Sequence, residues 1–355
     1  MPGEGGDATS SRKDDHLRIN VERDVTAKGV LAGFERYTFV HRALPEIDLA
    51  DVDLRTRFLA RDLRSPLLIS CMTGGTPRAQ RINRALARVA QRHGFAMGLG
   101  SGRALLESPA TFASFDVRDE APDVPLLANL GAVQLNKGYG AAECRALVDL
   151  LRADALVLHL NPLQEALQPE GDTCFRGLLA RIAALCAQLG APVVVKEVGW
   201  GIAPDTVRAL FDAGVAAVDV AGAGGTSWSE VERYRIAQPW RANVAAEFAG
   251  WGIPAATCIR QAREAAPGGC IVGSGGIRNG VDAAKAIALG ADLAGIAGPF
   301  LRAADLGENE ADEFALELVE TLRVAMFCTG AKTVAELRET PFLRMTSAEG
   351  IPIGP

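Results

Sequence analysis

No two cysteines stand at CxxC spacing; the seven present, Cys71, Cys144, Cys174, Cys186, Cys258, Cys270 and Cys328, are scattered. That argues against a metal cluster and a disulfide framework, and makes a reducing cytoplasm the expected compartment. A basic excess is also missing, since 37 Lys and Arg against 43 Asp and Glu leave a net charge of −6. Nucleic acid is therefore not the expected partner, and any positive charge for an anionic substrate must be gathered locally. No apolar run approaches the length that spans a bilayer, and the opening MPGEGGDATSS has no apolar core of the kind a signal peptide needs. No membrane partner is expected. What remains is an ordinary globular composition: 355 residues, 48% hydrophobic and 23% charged, enough for one large α/β domain or two small ones.

Short apolar runs alternate with longer amphipathic stretches. The runs are Pro66–Ser70, Phe95–Leu99, Pro125–Leu130, Ala155–Leu160, Pro192–Val195, Ala216–Val220, Cys270–Gly273 and Leu293–Ile296. Their apolarity is continuous rather than alternating, which says that both faces of the sheet are covered, as in parallel α/β folds. Eight such units over about 260 residues predict a (β/α)8 barrel. A doubly wound open sheet is the rival, but its glycine fingerprint would follow the first strand, whereas here the strongest glycine-rich turns come late. Residues 1–11 are expected to be disordered and 12–355 to form one barrel domain, with an N-terminal extension and a long loop, Gly222–Ile253, after the sixth strand. That loop carries Trp228, Trp240 and Trp251; it reads equally as a lid or substrate wall and as a packed Ω-loop.

Chemistry is expected where barrel strands end. The fourth run leaves its sheet through His159-Leu160-Asn161-Pro162-Leu163-Gln164-Glu165, a polar group that a buried strand has no packing use for. Glycine-rich exits follow strands six, seven and eight: Ala221 to Thr226, Gly273 to Arg278, and Ala297-Gly298-Pro299-Phe300. Such loops bring backbone N–H groups up to a phosphate. On the other side of the ring, Met72-Thr73-Gly74-Gly75, Ser101 and Asn129 suit a flat polar heterocycle, and Lys196 ends strand five either as a fixed cation or as the partner of Glu197. The cluster Arg12-Lys13-Asp14-Asp15-His16 reads as a solvated face or as a phosphate clamp.

Together RKDDH, MTGG, GSGR, ANLG, HLNPLQE, EGD, VKEVGWGI, DVAGAGGTSW, GSGGIRNGVDAAKAIALGA and AGPFL resemble the flavin-dependent type 2 isopentenyl-diphosphate isomerases, in the correct order from Arg12 to Leu301. The resemblance implies an FMN-binding barrel that interconverts isopentenyl and dimethylallyl diphosphate, with reduced FMN and Mg2+, and with NADPH needed only to reduce the flavin. It also implies a homo-oligomer, a tetramer or octamer. Carried onto this chain, Met72, Thr73, Gly74, Ser101, Asn129, Lys196, Thr226, Gly275, Gly276, Ile277, Arg278, Ala297 and Gly298 would hold FMN. Arg12, Lys13, Ser101 and Arg103 would meet the diphosphate, His159 and Asn161 would lie close to it, Gln164 would sit by the alkene, and Glu165 would hold Mg2+. One departure stands out: the family often carries Gln where this chain has Gly102.

Moving a double bond requires a proton delivered to one carbon and removed from another, and no side chain here is an evident acid for an unactivated alkene. Lys196 beneath the N1 edge of a flavin would stabilise its anionic reduced form. The rival on the same barrel is an FMN-dependent 2-hydroxy-acid oxidase or dehydrogenase, which uses a His base with a nearby Arg just after strand six. That loop here, Val220 to Thr226, has neither. A non-catalytic flavin- or phosphate-binding protein would have little use for Gln164 and Glu165 at a strand exit.

Overall fold

The computed structural model describes residues 4–346 and 352–353, with side chains from Arg12 to Thr346. Eight parallel strands close into a barrel: β1 (Leu67–Ile69), β2 (Ala96–Gly98), β3 (Leu126–Gly131), β4 (Ala155–Leu160), β5 (Val193–Glu197), β6 (Ala217–Asp219), β7 (Ile271–Ser274) and β8 (Leu293–Ile296), with β8 returning to β1. Each lies within a run read from the sequence or overlaps it. The expected barrel is the one observed.

Helices cover the outside, as the continuous apolarity of the strands requires. Pro77–His93 after β1 is typical: Thr76 caps it by accepting from the Ala79 N–H, Pro77 opens it, and Gly94 at φ 69 ends it. The cover after β2 is thinner than the periodicity implies. There the helix is only Arg103–Glu107, followed by a 3-10 segment at Pro109–Ser114, because a residue before proline is pushed out of the helical region.

Inward positions alternate along every strand, and they form two rings. The lower is apolar: Leu68, Ala96, Leu127, Val157, Val194, Ala217, Val272 and Leu293, closed below by Phe58 and Leu63 of the hairpin Thr56–Phe58/Arg61–Leu63. Two residues further along each strand come Ser70, Gly98, Asn129, His159, Lys196, Asp219, Ser274 and Gly295. The barrel interior thus switches from wholly apolar to polar or glycine in one step. Everything above that step is the mouth.

The lower end carries a repeated clamp. Arg118 bonds the Val124 carbonyl at 3.0 Å and Asp154 at 2.6 Å, while Asp154 accepts from the Leu126 N–H at 2.8 Å. Four strands away, Arg263 bonds the Gly269 carbonyl at 2.8 Å and Asp292 at 2.6 Å, and Asp292 accepts from the Ile271 N–H at 2.8 Å. Both join a strand start to the residue opening the next strand.

The expected disorder of residues 1–11 falls on side chains outside the described residues; the backbone from Glu4 is part of a helix, Glu4–Glu22. The long connection after β6 is neither a simple lid nor an Ω-loop. It folds into two helices, Trp228–Arg235 and Pro239–Glu247, and leaves Trp240 and Trp251 largely exposed. Among the described residues, no helix is long and apolar enough to cross a membrane.

Candidate active site

One cavity occupies the mouth, and every site residue named from the sequence lines it: Arg12, Lys13, Met72, Thr73, Gly74, Ser101, Arg103, Asn129, His159, Asn161, Gln164, Glu165, Lys196, Thr226, Gly275, Gly276, Ile277, Arg278, Ala297 and Gly298. They come from all eight strand exits and from the N-terminal helix. The fold brings together positions as far apart as Arg12 and Gly298.

The glycine exits of β6 and β7 meet backbone to backbone. A Cβ on Gly225 would lie 2.6 Å from the Gly276 nitrogen, and Gly276 itself sits at φ +78, a conformation that favours glycine. Thr226 and Gly298 face this cradle, and Arg302 extends beside Gly298. Across the mouth the MTGG turn packs so tightly that a Cβ on Gly74 would stand 2.0 Å from the Phe115 ring. Ser70 Oγ is buried at the cavity floor with no partner among the described residues. A flat group with its own donors, tied to a phosphate, fits these features.

Lys196 is buried and faces the cavity, and its ammonium donates to the Glu197 carbonyl oxygen. The alternative pairing with the Glu197 carboxylate does not form. Glu197 points the other way and accepts from the N–H groups of Gly199 at 2.7 Å, Trp200 at 2.6 Å and Gly201 at 3.2 Å. Burial pushes its carboxyl up to about 7, against those bonds. On β4, burial and the charges of Lys196 and Arg12 push His159 down to about 4. A neutral ring donating from Nδ1 to Asn129 Oδ1 at 2.8 Å leaves Nε2 as an acceptor.

The β4 exit forms a tight polar cluster. Asn161 donates to Gln164 Oε1 at 3.2 Å and to Glu165 Oε1 at 2.9 Å, while its own Oδ1 is buried with no partner among the described residues. Glu165 also accepts from Gln168 and from the Asp172 N–H, both at 2.6 Å. Among the described residues no three metal-binding side chains cluster, so a cation at Glu165 needs its other ligands from substrate oxygens and water. Mg2+ is commonly held that way.

The N-terminal charge cluster divides: Arg12, Lys13 and His16 line the cavity, while Asp14 is exposed and Asp15 does not line it. Lys13 reaches the Ser101 carbonyl at 3.0 Å and lies over the Phe115 ring. Burial, with Arg12 beside it, pushes Lys13 down to about 8, and an anion in the cavity would raise it again. Arg103 lines the same wall, tied to Glu107 at 2.6 Å. At Gly102, a Cβ would stand 2.6 Å from Leu147, so the longer Gln could enter only if Leu147 moved.

Sequence reading passed over a group that the fold places at the centre. Glu232, with its side chain wholly buried, accepts from Gln164 Nε2 at 2.9 Å, shares a 2.9 Å bond with His16 Nε2, and pairs with Arg235 at 2.5 Å. Burial opposes its charge, but the His16 and Gln164 bonds and the Arg235 guanidinium hold it down at about 2. Trp228 meets the His16 ring edge-on and walls the cavity. Four-residue spacing was the available signal: Arg12, His16 and Asn20 share one helix face, and Trp228 and Glu232 share another.

Comparison with known proteins narrows the chemistry. The chain is 55% identical over 333 residues to the isopentenyl-diphosphate delta-isomerase of a Synechococcus species, covering 94% of this chain and 96% of that one. It is 49% identical to those of Rickettsia bellii (94% and 97% covered) and a Nostoc species (95% and 96%). The chain belongs to the isopentenyl-diphosphate delta-isomerase family. Residues 173–344 also match the FMN-dependent dehydrogenase family, which places it with the flavin-dependent, type 2 members. Among solved structures, a Pediococcus acidilactici (putative) lactate oxidase superposes with a TM-score of 0.69 at 15% identity, covering 99% of this chain and 95% of that one. A mandelate oxidase gives 0.63 at 19%, covering 94% and 92%. Those two share the barrel.

Proposed function

We propose that the protein interconverts isopentenyl and dimethylallyl diphosphate, using reduced FMN, with Mg2+ to bind the diphosphate and NADPH serving only to reduce the flavin. The observation that carries this reading is the meeting, in one cavity, of the Gln164–Glu165 exit, the Arg12, Lys13 and Arg103 cations and the glycine cradle of β6 to β8. Met72, Thr73, Gly74, Ser101, Asn129 and Lys196 would hold the flavin ring, and Thr226, Gly275 to Arg278, Ala297 and Gly298 its phosphate. When bound, reduced FMN supplies the acid and base that no side chain here provides for an alkene.

The protein's own part is placement and exclusion. Arg12, Lys13, Ser101 and Arg103 anchor one end of the substrate, with His159 and Asn161 lining the cavity nearby. Glu165 would hold Mg2+, whose remaining ligands would be substrate oxygens and water. The fixed amide of Gln164, held by Glu232, orients the reacting carbons, and Trp228 with the N-terminal helix keeps water from the cationic transition state. A homo-oligomer in the cytoplasm, with residues 12–355 as one domain, completes the reading. The test is to purify the protein, record its visible spectrum for flavin, and assay isomerisation anaerobically with reduced FMN and Mg2+. Absence of turnover in flavin-loaded protein refutes it.

A further inference from the structure

Of the eight inward positions in the upper ring, one carries an amine and one an acid. Lys196 and Asp219 are register partners on β5 and β6, and both face inward, two residues beyond the inward Val194 and Ala217. Lys196 lines the cavity. Asp219 does not: it lies just beneath, 2% exposed. Its Oδ1 accepts from the Ser274 hydroxyl and, at 3.3 Å, from the Ala221 N–H. Its Oδ2 is buried with no partner among the described residues. A carboxylate oxygen left so is costly. Burial pushes the carboxyl up, and the Lys196 charge is the leading influence that pulls it back.

The surroundings keep this acid close to the floor of the mouth. Gly295, inward on β8, leaves open the space where a Cβ would come within 2.8 Å of Ser70 Oγ and 2.9 Å of Ser274 Cβ. Ser274 therefore links Asp219 to the cavity surface, which it lines.

We infer that Asp219 is a positioning residue for the cofactor's electronics: a fixed anion that offsets Lys196 and limits how far the floor favours a negatively charged reduced flavin. The inference rests on the reading of the cavity as a flavin site. A purely structural role is also available to Asp219, because its bond to the Ala221 N–H holds a turn in which Ala221 takes φ 37, a strained value for alanine. That role would leave the flavin's potential where it is.

The decisive measurement is the two-electron midpoint potential of bound FMN in the wild type, D219N, K196M and the double variant, by anaerobic dye equilibration, with flavin content read from the visible spectrum. D219N is expected to favour reduction by about tenfold, a rise of ~30 mV. K196M is expected to move the other way, and the double variant to return to the wild-type value. Should D219N alone fail to fold, the double variant compared with K196M carries the same test, with a higher potential expected in the double. A wild-type potential in D219N, or equal potentials in K196M and the double variant, overturns the inference. Failure of the wild type to take up FMN would instead refute the flavin reading, so the two failures are distinct.

Discussion

Replacing Glu232 with Gln should separate the placement of Gln164 from the binding of cofactor and substrate. The carboxylate serves three donors with two oxygens: Oε1 meets Gln164 and His16, and Oε2 meets Arg235. An amide of the same shape has one oxygen, so either the Gln164–His16 side or the Arg235 side must face an NH2 group. Against burial, its hydrogen bonds and the Arg235 guanidinium hold the Glu232 carboxyl below its ordinary range, which stabilises the folded state at neutral pH. The folded value is the lower one, so this contribution is full above pH 4.5 and fades as the pH falls toward 2. E232Q should therefore unfold more readily at pH 7 and lose less of its remaining stability on acidification across that window. Turnover should fall by roughly 100-fold, the usual scale when a positioning group is displaced by about an ångström. FMN content should not change. Denaturant titrations at neutral and acid pH, beside anaerobic steady-state kinetics, measure each part. Wild-type turnover together with a wild-type pH profile would refute the argument.

Glu165→Gln should abolish Mg2+-dependent turnover while retaining flavin, because it removes a negative oxygen from a hard-cation site; an unchanged Mg2+ titration counts against the assignment. R12A together with K13A should raise the KM for isopentenyl diphosphate by roughly 10- to 100-fold, the scale of charge-assisted bonds lost, with FMN affinity intact; unaltered constants would return the cluster to a packing role. Gly276→Ala should lower FMN content, since its Cβ would meet Ala32 and the Gly224 backbone at 2.8 Å and φ +78 would add about 1–2 kcal/mol of strain; full flavin occupancy would show that the cradle binds elsewhere.

The barrel was legible because each strand is buried on both faces and so reads as a continuous apolar run bounded by turns. The strand exits were legible because polar residues there have no packing use. What escaped was tertiary. Nothing local in Trp228–Arg235 announces that Glu232 will lie against Gln164, 68 residues earlier, since a Glu within a helix rich in Glu and Arg reads as surface. Asp219 escaped for a related reason: in Ala217–Asp219 it looks like the polar end of a strand. Only the register with β5 shows that it shares the inner face with Lys196. The same register settles the orientation of Glu197, which adjacency alone left open.

The two ends of the barrel answer to different demands, and the residues divide accordingly. At the lower end the Arg–Asp clamp recurs four strands apart with the same spacing, six residues from Arg to the carbonyl it holds and eight to the strand opening. Repetition is what a purely mechanical joint permits, because any strand pair can use it. At the upper end the eight inward positions are mixed: two serine hydroxyls, an amide, an imidazole, an ammonium, a carboxylate and two glycines share one ring. The oxidases that share the barrel at 15% and 19% identity show that the scaffold tolerates nearly complete replacement. What differs between such chains must then include the upper ring and its exits, where the β6 loop of this chain offers glycine and threonine. On the proposed function, the β4 exit, with Gln164 and Glu165, would supply the groups that meet a diphosphate alkene.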